Sequence, residues 1–253
     1  MRLYPSVSAA AIAALVAGLV ALLIPARAAH AQLAIDREAV MLNPTLPAER
    51  VAEFVVQNSG AALLQATVNL QDWEVDARGT SHWRKAGHVA GSCGDRVSVS
   101  PRVLRLAPGE RQTVRVTVTG TARFDAECWS AAVVKPLESS AQASTSVPVY
   151  VTPAGALVNG EVQDMFVKGD SLEIVFANTG NVRTDIVGEV QLRGANDAVV
   201  VAVPIENATV MAGATRRFRV AIPKVARGKY TLFAVVDFGG AELTAAQAEF
   251  EIR

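Results

Sequence analysis

Between residues 52 and 136, apolar and polar positions alternate with a period of two. The segments AEFVVQN (52–58), LLQATVNLQDW (63–73), RVSVS (96–100), RQTVRVTVTG (111–120) and SAAVVKP (130–136) are short, and Gly, Pro, Asn and Asp punctuate the chain around them. A period of two sends successive side chains to opposite faces of a strand, whereas a helix repeats near 3.6. VPVYVTP (147–153) closes the set. About seven short strands in about 120 residues is the pattern of an immunoglobulin-like sandwich.

A second set has the same rhythm. It comprises SLEIVFANTGN (171–181), DIVGEVQLR (185–193), AVVVAVPIE (198–206), TRRFRVAIP (215–223), KYTLFAVVDFGG (229–240) and AQAEFEIR (246–253). ANTGN and DFGG are turn chemistry. Pro and Gly interrupt the pattern at TPAGA (152–156). The alternation therefore predicts an all-β chain with two immunoglobulin-like β-sandwich domains, 32–153 and 154–253.

The densest signal is SPRVLRLAPGERQTVRVTV (100–118). It predicts one strand from Val97 to Leu106, a turn at 107–110, and a second strand. In that second strand Val114, Val116 and Val118 face a core, and Arg115 and Thr117 face away. Pro presets φ and Gly accepts positive φ, so Pro108-Gly109 suits the turn.

The first 31 residues stand apart. Arg2 precedes an apolar run from about residue 9 to 24, and AHA (29–31) closes it. This is the layout of a cleaved secretory signal peptide. An uncleaved anchor competes with that reading, because the run approaches spanning length; the A-x-A ending favours cleavage. The expected product is an exported, periplasmic chain beginning near Gln32. The whole chain has 24 basic and 24 acidic residues. This balance lacks the basic excess of nucleic-acid binders. In an oxidising compartment the two cysteines, Cys93 and Cys128, read as one disulfide. A reactive or metal-bound pair is the alternative, without C-x-x-C spacing to support it.

The 100–118 stretch also resembles the N-terminal domain of the PapD-like periplasmic pilus chaperones. The resemblance rests on Pro101, Leu106, Pro108, Gly109, Gln112 and Arg115, with Val114 and Val116. LAIDREAVML (33–42) and QDWEVDARG (71–79) are similar to the family's first strand and its Trp-ending strand, and VVDFGG (235–240) is similar to a late turn. The match is good over 33–153 and weak beyond. It implies an assembly chaperone that binds an exported β-rich, pilin-like subunit by donating an edge strand, with an outer-membrane usher as a further partner. In such pairing main-chain bonds give affinity and alternate side chains fill a groove.

The resemblance places the donor edge near 143–151, with Val147, Val149 and Val151 as anchors. Core packing is the competing reading for these valines. The family's cleft arginine falls at Ala39, so Arg37, two positions earlier, is the candidate contact for a subunit carboxylate. The family's cleft lysine has no counterpart in 144–153. Ala141, Ala143 and Thr145 are small, and Pro148 lacks a backbone donor. These departures keep a second reading open, a structural or adhesive two-sandwich protein. An exposed edge also permits self-dimerisation.

No catalytic constellation is legible, and no cofactor is expected. His82, His88 and Cys93 match no common zinc spacing. Neither G-x-S-x-G nor H-E-x-x-H occurs. RRFR (216–219) reads as the solvated face of a strand. Trp73, Trp83 and Trp129 read as packing residues, with an exposed ligand anchor as the alternative for Trp73 or Trp83.

Overall fold

A computed structural model describes residues 32–120, 123–137 and 143–252. The proposed signal peptide and Ala141 lie outside the described residues. The first ten strands are β1 (Leu33–Ile35), β2 (Val40–Leu42), β3 (Val51–Asn58), β4 (Leu64–Val75), β5 (Ser81–Lys85), β6 (Val97–Ser100), β7 (Val103–Leu106), β8 (Arg111–Val118), β9 (Cys128–Pro136) and β10 (Thr145–Val151). They make two facing sheets. One has the order β1-β3-β8-β6; the other has β2-β10-β9-β4-β5, with β7 also on β4. The remaining strands are β11 (Gly160–Lys168), β12 (Ser171–Asn178), β13 (Thr184–Arg193), β14 (Val199–Val210), β15 (Thr215–Ala221), β16 (Gly228–Asp237) and β17 (Thr244–Ile252). They form sheets β11-β12-β15 and β14-β13-β16-β17. The fold is all-β, and its strands sort into two sandwiches. Among the described residues no helix is long and apolar enough to cross a membrane.

The alternation sets which side chains meet. Val114, Val116 and Val118 on β8 are buried with Phe54 and Val56 of β3 in the first core. On the outer face Arg115 grips the Glu53 carboxylate through Nε and Nη2 at 3.0 and 2.9 Å. The second core gathers Ile174 and Phe176 of β12, Ile186 and Val190 of β13, and Leu232 and Val236 of β16.

One predicted strand is two. β6 pairs with β8 in one sheet, while β7 pairs with β4 in the other. The chain changes sheets at Pro101-Arg102. Pro101 has no N–H to offer a ladder, and the Arg102 carbonyl accepts from Val68 N at 2.9 Å. The 107–110 turn is thus a corner between sheets and not a hairpin. Glu110 N donates to Ala107 O at 3.0 Å, and Gly109 has φ +79°, a backbone that favours glycine.

Both sandwiches use one corner device. The Asn58 amide donates to the carbonyls of Ala62 and Leu106, at 2.7 and 3.0 Å, and its Oδ1 accepts from Gly60 N. Asn178 repeats this with Val182 O, Val210 O and Gly180 N. Each side chain satisfies buried carbonyls that would cost about 1–3 kcal/mol apiece if left unpaired. Both corners carry N-x-G, in QNSG (57–60) and ANTG (177–180). β11 was absent from the predicted set: its alternation is faint, and it carries an irregular register between Val162 and Asp164.

The Cys93–Cys128 disulfide closes a separation of 35 residues inside the first core. Nearby, buried Asp72 accepts from Gly87 N, His88 N and Ser130 Oγ, at 2.7, 3.2 and 2.7 Å. That carboxylate ties loop 86–93 to the sheet. His88 is exposed in this loop, whereas His82 lies on β5 beside Asp76.

Candidate partner-binding edge and domain joint

β10 has two different halves. Its whole length pairs antiparallel with β9. On the other side, Val149–Val151 runs parallel to Val40–Leu42 of β2. From Thr145 to Pro148 that second side carries no strand among the described residues. Ala143, Ser144 and Ser146 are exposed there. An uncovered stretch of backbone is a template for another strand.

The valine anchors need correction. Val147, Val149 and Val151 are fully buried and belong to the first core. The period of two places them on the inner face and Ser146, Pro148 and Tyr150 on the outer one. Their apolar area is already spent within the domain, so what the open side of β10 presents is backbone and the residues just before the strand.

Arg37 is exposed in the segment that carries the chain from β1 in one sheet to β2 in the other. The other motif residues fall at structural positions. Pro101 marks the sheet change, Leu106 is buried, Pro108 and Gly109 form the corner, and Gln112 and Arg115 lie on β8.

The cation that lies on β10 is Arg183, which the sequence reading missed. It comes from the second sandwich, just before β13. Its guanidinium sits 3.7 Å from the Tyr150 ring centre. It also pairs with Glu127 at 2.6 Å, where the Glu127 side chain is 3% exposed and that of Arg183 is 23% exposed. Burial pushes the Tyr150 phenol up, against the opposing pull of Arg183. Glu127 N donates to Asn181 O, and the Asn181 amide donates to Asp125 O and Gly155 O. Nothing in the alternation marks this joint, because Glu127 and Arg183 lie 56 residues apart in loops.

A second contact joins the sandwiches. The Arg217 amide donates to Ala77 O at 2.6 Å, from the turn between β4 and β5. RRFR is indeed on a strand, β15, with Arg217 and Arg219 exposed and Phe218 buried. The Glu173 carboxylate lies 3.9 Å from Arg217 and 3.4 Å from Lys168.

No family model and no curated protein matches the sequence. Solved structures do. The class 5 fimbriae chaperone CfaA aligns with a TM-score of 0.55 at 11% identity, covering 88% of this chain and 100% of its own. The YadV chaperone aligns at 0.51 and 16% identity, covering 86% and 99%. A chain of the CsuC–CsuE chaperone–tip subunit pre-assembly complex, from the archaic chaperone–usher Csu pili of Acinetobacter baumannii, aligns at 0.50 and 16% identity, covering 75% and 90%. Identities this low speak to architecture, and the architecture is consistent across all three. The chain has the PapD-like fold of the chaperone–usher pilus chaperones.

Proposed function

We propose that the protein is a divergent, non-enzymatic periplasmic chaperone that binds an exported β-rich subunit by strand addition at the open half of β10. The observation that carries this reading is the side of Thr145–Pro148 that no strand covers among the described residues. Its setting supports the reading: the fold is shared with a chaperone solved together with a tip subunit. Backbone pairing supplies the affinity, since the exposed residues Ala143, Ser144 and Ser146 are small and the valines are internal. Arg37, exposed at the sheet change and without a side-chain hydrogen bond or ion pair among the described residues, is the contact for a subunit carboxylate. Arg183 is already committed to Glu127. An outer-membrane usher is the onward partner in this scheme.

The short open stretch and the burial of all three valines favour a second reading, a structural or adhesive protein on the same fold. Native mass spectrometry of the mature protein, gently purified from its own periplasm, separates the two. The chaperone reading predicts a stoichiometric complex with a small exported β-rich protein. A bare monomer or a self-dimer overturns it.

A further inference from the structure

The outer face of the β10-β9-β4-β5 sheet carries an open groove of about 330 Å³, lined by Trp83, Asn69, Gln71, Val133, Lys135 and a pair of serines, Ser144 and Ser146. The register gathers these residues from four strands onto one face. Trp83 on β5 stands opposite Trp73 on β4, and β9 and β10 bring Val133 level with Ser146. Trp83 is 48% exposed. It is braced from behind: its ring lies 6.1 Å from that of Trp73, which meets the Tyr150 ring edge-on at 6.0 Å. A braced indole presents a fixed flat surface at little entropic cost.

The polar lining is uncommitted. Among the described residues, the side chains of Asn69, Gln71, Lys135, Ser144 and Ser146 make no hydrogen bond or ion pair. Elsewhere the amides of Asn58, Asn178 and Asn181 are all engaged in corners and the domain joint. Among the described residues the groove has no carboxylate in its lining. An apolar protein surface docked here would strip water from five polar side chains without replacing it. A pyranose ring fits better. Its C–H face matches the negative face of an indole, and its hydroxyls both donate and accept, as carboxamides and serines require. The volume lies at the lower end of small-ligand pockets, about 300–1,000 Å³. Lys135 favours a sugar that carries an acid.

The geometry points to a saccharide-binding groove on this face, with Trp83 as the stacking platform, Asn69, Gln71 and Ser146 as hydroxyl partners, and Lys135 selecting an acidic sugar. The site is separate from the strand-addition edge in mechanism, although both include the first residues of β10.

The test is an NMR titration of the mature protein with tetragalacturonate and with the neutral tetramer of N-acetylglucosamine. The expected result is saturable movement of the Trp83 indole N–H and the Asn69 and Gln71 side-chain amides, with tetragalacturonate binding several-fold more tightly. Trp83→Ala should weaken binding at least tenfold, and Lys135→Ala should remove the preference for the acid. Trp83→Ala should leave the subunit complex intact, so loss of one activity is read apart from loss of the other. Absence of saturable shifts with both sugars, or unchanged affinity in Trp83→Ala, overturns the assignment. So does a Trp83→Ala protein that loses a protein partner while neither sugar perturbs the wild type.

Discussion

Glu127 and Arg183 concentrate the energetics of the domain joint in one pair. Removing the cation leaves the buried Glu127 carboxylate with the residue-183 backbone N–H, 3.3 Å from Oε1, in place of an ion pair, and breaking a buried pair costs about 3–5 kcal/mol. Arg183 is partly exposed, so the lower end applies. Arg183→Ala should lower stability by about 3 kcal/mol in urea unfolding, read as a fall in midpoint. Asp76 gives a residue-level pH signature. Hydrogen bonds from Thr80 N, the His82 ring and Arg78 N hold its carboxyl below the usual aspartate value. A depressed folded pKa means that its stabilising contribution is present above the unfolded value and is lost as pH falls through the folded one. An NMR titration should place Asp76 below an unperturbed aspartate, and Asp76→Asn should remove that step from the acid limb of the stability profile. None of Glu127, Arg183 and Asp76 was singled out from the sequence. Their roles depend on partners brought close only by turns or by the joint, and single residue types in loops carry no periodic signal.

Strands were the most legible elements, because alternation records which face meets a core. Val114, Val116 and Val118 were read correctly for that reason. The same logic did not decide the role of Val147, Val149 and Val151. An apolar stripe looks alike whether it faces its own core or a partner's groove, and only the facing sheet distinguishes them. Sheet changes were also hidden. The break at Pro101 and the move from β1 to β2 interrupt pairing without interrupting alternation. The disulfide ties the 86–93 loop to β9 at element scale. Its loop length corresponds to about 3–4 kcal/mol of stabilisation on the chain-entropy argument. A Cys93→Ser, Cys128→Ser double variant should lose about that amount in urea unfolding, and an unchanged midpoint would contradict the estimate. Within that loop Gly91 has φ +84°, and a Cβ there would come within 2.5 Å of the Trp129 ring. Close approach thus explains this glycine better than turn chemistry alone.

At the scale of the molecule, two sandwiches built on the same asparagine corner are joined through Glu127–Arg183 and Arg217–Ala77. The all-β architecture was readable from periodicity and turns. The joint was not, because contacts between domains involve isolated side chains far apart in sequence. Among the described residues the architecture leaves open one side of β10 from Thr145 to Pro148, and the functional reading depends on that opening. The most direct test places a photoreactive amino acid at Ala143, which is exposed immediately before β10, and irradiates cells expressing the full chain. A control carries the same probe at Val187, which is exposed on the second sandwich. The account predicts a discrete adduct between the Ala143 probe and an exported β-rich polypeptide, absent from the control. No adduct at Ala143, or the same adducts from both positions, would contradict it.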